Sequence, residues 1–287
     1  MGLDTGDEGK VRMTPYYADD HVRLYCGDCR EVLPTLANHD DPIVSCVTDP
    51  PYGETSAVWD RWPDGWVDAV AGVLPPSASL WCFGSARMFL DRRDDFAGWR
   101  LAQEMLWVKP RGSSPGTPDR LARVHEWAYH WYRGQWGKAH HEWPRQTWYG
   151  QRRRLRVGAK QVSHQGDWER ASVWVDDGTR QQTSVVQVIE APAVRQGRHQ
   201  DEKPLAVTIP LVRECTPPGG VVVDPFAGAG TTGLAAKTVG RRAVLVEADE
   251  AMCETAARRL EQDQPLLCDE TPLNGVAHNQ QDLFGVE

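Results

Sequence analysis

Val221-Val222-Val223-Asp224-Pro225-Phe226-Ala227-Gly228-Ala229-Gly230-Thr231 is the stretch on which the fold is decided. Three consecutive β-branched residues read as a parallel strand covered on both faces. The turn after Asp224 carries two glycines, where backbone can approach a ligand closely. Thr231 or Thr232 can cap a helix running to Gly240, and Ala243–Glu247 gives a second strand before a helix from Glu250 to about Gln262. That is a βαβ unit, and it sets the class as α/β. Glu247 lies 19 residues past Gly228, at a strand end from which a carboxylate can accept hydrogen bonds from ribose hydroxyls. A nicotinamide fingerprint would need a third glycine at a position that Thr231-Thr232-Gly233 does not supply.

Upstream, Pro204–Cys215 has helical apolar periodicity and ends in Pro217-Pro218-Gly219-Gly220. Nearer the N-terminus, Val22–Tyr25 alternates as a strand, and Arg30–Leu36 follows as a short helix. Ile43-Val44-Ser45-Cys46-Val47-Thr48 is a second buried strand, stopped by Asp49-Pro50-Pro51 because proline cannot donate to the ladder. A helix over Asp64–Val73, a strand over Ser79–Phe83, a helix over Arg87–Gly98 and a strand over Leu101–Val108 continue the alternation. The turn formers from Lys109 to Gly116 then break it, and βα regularity is lost until Pro204. The expected organisation is an arm over 1–21, one half of an α/β domain over 22–110, an inserted region over 111–198, a second half over 199–262 and a polar tail over 263–287.

The net charge of −8 over 287 residues argues against indiscriminate nucleic-acid binding, but it hides an asymmetry. Trp107 to Lys203 holds 17 Lys+Arg against 10 Asp+Glu, a local +7 that leaves −15 elsewhere. Eight of the 13 tryptophans fall between Trp107 and Trp174, and most of them are expected to be core. No apolar run approaches the roughly 18 residues of a spanning helix, so a soluble, cytoplasmic protein with no membrane contact is expected. Seven cysteines, an odd number in a chain of this size, read as reduced thiols. Cys26 and Cys29 form a lone CxxC that lacks partners for four zinc ligands, so no metal site is expected.

Asp49-Pro50-Pro51-Tyr52 has two readings. It can be a proline-terminated strand whose aspartate caps a turn. It can equally serve an exocyclic base amine, whose lone pair is delocalised into the ring: Asp49 and the Pro50 carbonyl would accept the amine's hydrogen bonds, and Tyr52 would stack on an extruded base. With both loops in view, the chain resembles the amino-methyltransferases of DNA, whose hallmarks are an (Asp/Asn/Ser)-Pro-Pro-(Tyr/Phe) loop and a Phe-x-Gly-x-Gly loop. The order, catalytic loop first and glycine loop last, is similar to the family's β group. Gly27-Asp28, Trp107-Val108-Lys109-Pro110, His199 with Lys203-Pro204, and Ala256-Ala257-Arg258-Arg259-Leu260 extend the resemblance over about 22–262.

The resemblance implies a Rossmann-like, circularly permuted S-adenosylmethionine-dependent methyltransferase fold with an inserted target-recognition region. It implies Asp49, Pro50, Pro51 and Tyr52 as catalytic residues. A cofactor pocket follows from Asp224, Phe226, Gly228, Gly230 and Glu247, with Asp28 near the adenine of S-adenosylmethionine and Lys203 and Thr231 near its methionine end. The chain departs from the family's His-Pro-Thr-Gln-Lys-Pro, reading His199-Gln200-Asp201-Glu202-Lys203-Pro204. Aspartate at 49 favours adenine N6 as the acceptor, with cytosine N4, or a DNA-binding module on an inactive fold, as the alternatives.

Within the basic middle, Arg152, Arg153, Arg154 and Arg156 are candidate phosphate contacts on double-stranded DNA; a solvated basic face is the other reading. In the tail, Gln280, Asp282, Leu283 and Phe284 resemble the short peptide by which bacterial DNA enzymes dock on the sliding clamp, with Gln281 in place of the usual leucine. An idle tail is the alternative. A monomer and a homodimer both fit.

Overall fold

The computed structural model describes residues 3–4, 12–37, 42–113, 119, 121–142, 145–147, 162–163, 166–167, 179–187 and 202–262. Its centre is one nine-stranded mixed sheet. In chain order the strands are β1 (Tyr17–Ala18), β2 (Val22–Cys26), β3 (Ile43–Thr48), β4 (Ser79–Gly84), β5 (Arg100–Ser113), β6 (Arg123–Tyr132), β7 (Val185–Gln187), β8 (Val221–Asp224) and β9 (Arg242–Glu247). They lie side by side as β7-β5-β6-β4-β3-β8-β9-β2-β1. The five strands from β4 to β2 are mutually parallel. Strand β6 runs antiparallel to both of its neighbours.

Among the described residues six α-helices cover the two faces: α1 (Cys29–Thr35), α2 (Trp66–Val73), α3 (Ala86–Asp91), α4 (Leu205–Cys215), α5 (Thr231–Thr238) and α6 (Glu250–Glu261). Helices α1, α2 and α3 bury Val32, Leu33, Trp66, Val70 and Phe89 against one face, where Cys46, Leu80, Val223 and Val246 point. Helices α4, α5 and α6 bury Leu211, Val212, Ala235 and Leu260 against the other, on Val47, Phe83, Val222 and Leu245. All four residues of β8 are buried, as its unbroken apolar run requires.

Three expectations change. The helix expected over 87–98 is a short α-helix followed by a 3-10 turn at Arg93–Phe96. Strand β5 does not stop at Val108 but continues to Ser113, where it pairs with Arg123 after a register irregularity that absorbs Pro110. Within 111–198, strands β6 and β7 belong to the sheet. The alternation of Trp127, Tyr129 and Trp131 with the fully buried Ala128 and His130 is the period-2 pattern of such a strand. Finally, α5 is capped by Gly230 in the left-handed region, not by Thr231 or Thr232.

Candidate active site

Strands β3 and β8 are adjacent and parallel at the centre of the sheet, so their carboxyl ends deliver Asp49 and the glycine turn to one edge. This edge, where neighbouring crossovers run to opposite faces, is where open α/β sheets bind ligands. The two loops are tied directly. Asp224, 4% exposed, accepts from Thr48 Oγ1 at 2.7 Å and Phe226 N at 3.1 Å through Oδ1, and from Thr232 Oγ1 at 2.6 Å through Oδ2. Its carboxylate faces inward and pins the loop. Burial pushes its pKa up to about 6, against the pull of those three donors.

The turn is set by Gly228 at φ 50° and Gly230 at φ 80°, values that L side chains rarely adopt. A Cβ on Gly228 would meet nothing within 4 Å, so the turn faces open space. A Cβ on Gly230 would stand 3.2 Å from Ala256 Cβ of α6. Glu247, at the end of the neighbouring β9, accepts from Gly228 N at 2.8 Å and Asp249 N at 2.9 Å. Gly27 N donates to the Glu247 carbonyl at 2.8 Å, which brings Asp28 to the same edge. Asp28 caps α1 through Arg30 N at 2.9 Å, and its carboxylate pairs with the Arg30 guanidinium. Phe226 stands edge-on to Trp66 with centroids 5.3 Å apart. Open space over a glycine turn, beside a fixed carboxylate with lone pairs to spare, fits a nucleoside-bearing cofactor.

The Asp49-Pro50-Pro51-Tyr52 loop is held from inside and from beyond. Tyr52 Oη donates to Asp49 Oδ1 at 2.8 Å, and Lys203 Nζ donates to Asp49 Oδ2. Lys203 also lies 3.2 Å from Glu126 Oε2 of β6, whose other oxygen pairs with Lys109 of β5. Four charges thus alternate in sign from Asp49 through Lys203 and Glu126 to Lys109. Burial raises the Asp49 pKa and the nearby Glu126 carboxylate adds to this, while Lys203 opposes it. Burial would lower the Lys203 pKa, but Asp49 and Glu126 outweigh it and the ammonium is stabilised. Burial likewise works against the Glu126 carboxylate, yet Lys203 and Lys109 hold its pKa below the ordinary value.

Asp60, 5% exposed, accepts from Gly53 N at 2.8 Å, Glu54 N at 3.0 Å and Thr55 N at 2.7 Å, closing the segment that follows Tyr52. Arg259 of α6 joins the halves of the site by donating to the Ala229 carbonyl and, at 2.6 Å, to Glu202, which sits beside Lys203.

The edge therefore gathers Asp49, Tyr52, Lys203, Asp224, Phe226, Gly228, Gly230, Thr231, Glu247 and Asp28, while Arg152, Arg153, Arg154, Arg156, Gln280, Asp282, Leu283 and Phe284 lie outside the described residues. Sequence reading missed Glu126, Asp60 and the bridging role of Arg259. The first two carried no local motif; Arg259 sat inside a recognised segment without a stated partner. Among the described residues no cluster of His, Cys, Asp and Glu could hold a metal ion, and no helix is long and apolar enough to cross a membrane. A cavity of about 520 Å³ opens at the opposite edge, lined by Val44, Ser79, His140 and Cys215, away from these loops.

A family model described as DNA methylase matches residues 43–258, which span both loops. The type II methyltransferase M2.MboI of Moraxella bovis is 21% identical, over 91% of this chain and 96% of its own. M2.DpnII of Streptococcus pneumoniae is 25% identical, over 88% and 95%. Among solved structures, the M1.HpyAVI–SAM complex superposes with a TM-score of 0.57 at 20% identity, over 83% of this chain and 98% of that one. The cytosine-N4-specific PvuII DNA methyltransferase gives 0.55 at 18% identity, over 88% and 90%. Both likenesses speak for the fold.

Proposed function

The chain belongs to the N6/N4 DNA methylase family, and from that premise we propose that it moves a methyl group from S-adenosylmethionine to adenine N6 of a base extruded from duplex DNA. The observation that carries this reading is the placement of Asp49 beside the Gly228–Gly230 turn on adjacent parallel strands. The cofactor, when bound, supplies an electrophilic methyl on a sulfonium.

The chain's own residues do the rest. Glu247 would take the ribose hydroxyls, Phe226 would flank the nucleoside, and the Gly228 and Gly230 backbone would admit it closely, with Asp28 toward the adenine and Lys203 and Thr231 toward the methionine end. Lys203 neutralises the edge between the two loops. Asp49 and the Pro50 carbonyl accept the hydrogen bonds of the target amine, which draws its lone pair out of the ring and along the line of transfer. Burial keeps Asp49 a stronger acceptor than a solvated carboxylate. The Tyr52 phenol, whose pKa is driven well above its ordinary value by burial and by Asp49, stays protonated, orients that carboxylate and offers its ring to the base.

The motif order supports a circularly permuted fold, in which residues 22–110 and 199–262 form the methyltransferase domain and parts of 111–198 read the target. Arg152, Arg153, Arg154 and Arg156 suit phosphate contacts there. Aspartate at 49 is what favours adenine over cytosine. The test is to incubate duplex DNA with labelled S-adenosylmethionine and digest it to nucleosides. N6-methyladenine is expected; N4-methylcytosine would reassign the acceptor, and no labelled base would end the enzyme reading.

A further inference from the structure

Next to the catalytic tetrapeptide, the segment from Gly53 to Asp60 presents two large apolar side chains to water: Val58 is 83% exposed and Trp59 64%. Three residues on, Trp62 is 8% exposed, donates Nε1 to Asp95 at 2.7 Å and packs on Trp66 and Phe96. Among the described residues the Trp59 ring has no aromatic or cation contact. The exposed tip is nevertheless held in shape. The buried Asp60 carboxylate grips three backbone N–H groups at the start of the segment, Thr55 Oγ1 accepts from Ala57 N at 3.3 Å, Asp60 N donates to Ala57 O at 3.1 Å, and Arg61 N donates to Trp59 O at 2.9 Å. Two adjacent exposed apolar side chains held on an ordered backbone, adding nothing to the core, form a candidate contact surface.

The surroundings narrow the partner. The base of the tip is one residue from Tyr52, whose hydroxyl touches Asp49. Arg87 and Arg92 line the same small cleft as Tyr52 and Glu54, and Arg61 is exposed beside Trp59. The Glu54 carboxylate in that cleft is already engaged by Arg123 at 3.0 Å and by Ser85. Arg87 is paired with Asp91 and Arg92 with Asp64, so Arg61 is the guanidinium next to the tip along the chain. An aromatic and a β-branched side chain, fixed on an ordered turn that begins one residue from Tyr52, match the chemistry of a stack opened beside an extruded base.

We propose that Val58-Trp59 is a wedge that enters the duplex next to the target base and holds open the gap left by its extrusion. The inference rests on the methyltransferase reading above and concerns how the substrate is presented to it. The energy of opening the stack is largest for a paired base and small where the pairing partner is missing. Wedge loss should therefore matter on intact duplex and matter little on DNA that is already open.

The experiment compares wild type, Trp59→Ala and Val58→Ala, each as the full chain, on two duplexes carrying the site mapped for the wild type: one intact, one with an abasic position opposite the target base. Trp59→Ala is expected to lose about tenfold or more in kcat/KM on the intact duplex and to recover most of it on the abasic one. Val58→Ala should show a smaller loss with the same recovery. Equal rates for all three on both duplexes would overturn the wedge, as would a loss of equal size on both. A Trp59→Ala protein that falls from dimer to monomer in sedimentation, with equal losses on both duplexes, would make the tip a contact between copies and overturn it as well. A wild type that methylates no base in the preceding mapping would instead sink the methyltransferase reading, and this proposal with it.

Discussion

Asp49 sits where two opposite influences on its proton meet, and each can be removed separately. Its folded pKa is raised first by burial, opposed by Lys203 and reinforced by Glu126. Catalysis as proposed needs the ionised carboxylate, so activity should fall as pH drops through that raised pKa, and the acid limb of kcat/KM should lie above the ordinary aspartate range. Lys203→Met removes the cation that favours ionisation and should move the limb to higher pH. Glu126→Gln removes a like charge and should move it lower, if the variant keeps Lys203 in place. Shifts of the same sign in both variants would contradict the charge chain. At this scale the sequence was legible where a residue belonged to a contiguous motif. Glu126 was not, because it reaches Lys203 only across strands that pair residues far apart in the chain.

The glycine turn, α6 and the segment before α4 are coupled through the single Arg259 side chain. A charge-assisted hydrogen bond to Glu202, 3% exposed at its side chain, contributes on the order of 1.5–3 kcal/mol. Arg259→Ala should accordingly weaken cofactor affinity, measured by calorimetry, by roughly tenfold or more, while lowering the melting temperature by only a few degrees. An unchanged affinity would make Arg259 merely structural. The elements around it were readable because each obeyed a local rule: apolar runs gave β3, β8 and β9, and the stretch from Glu250 to about Gln262 read as α6, whose Asp249 cap the structure adds. Strands β5 and β6 were misjudged for a physical reason as well. Lys109-Pro110-Arg111-Gly112 looks like a stop, but a register shift between Val108 and Ser113 lets the ladder resume beyond the proline. The alternating aromatics of β6 were likewise passed over, because the stretch that holds them read as an insertion without βα alternation.

For the molecule as a whole, one buried tie between halves distant in sequence is Asp224, which joins β3 to the glycine turn and the first residues of α5. Its folded pKa of about 6 exceeds the ordinary aspartate value, so the native state holds that proton more tightly than the unfolded chain does. The stability this gives is full below the unfolded pKa and is lost as pH rises through about 6. Thermal melts of Asp224→Asn against wild type should therefore show a flatter dependence on pH between the ordinary carboxylate range and about 6. An unchanged slope would contradict it. The central claim is that one edge of one sheet binds the methyl donor and, by a separate group, activates the acceptor amine. The most direct measurement pairs calorimetric binding of S-adenosylmethionine with a single-turnover methyl-transfer assay on Asp49→Ala. Cofactor binding close to wild type and transfer reduced by about a thousandfold or more are expected. Transfer near the wild-type rate with binding intact would contradict it.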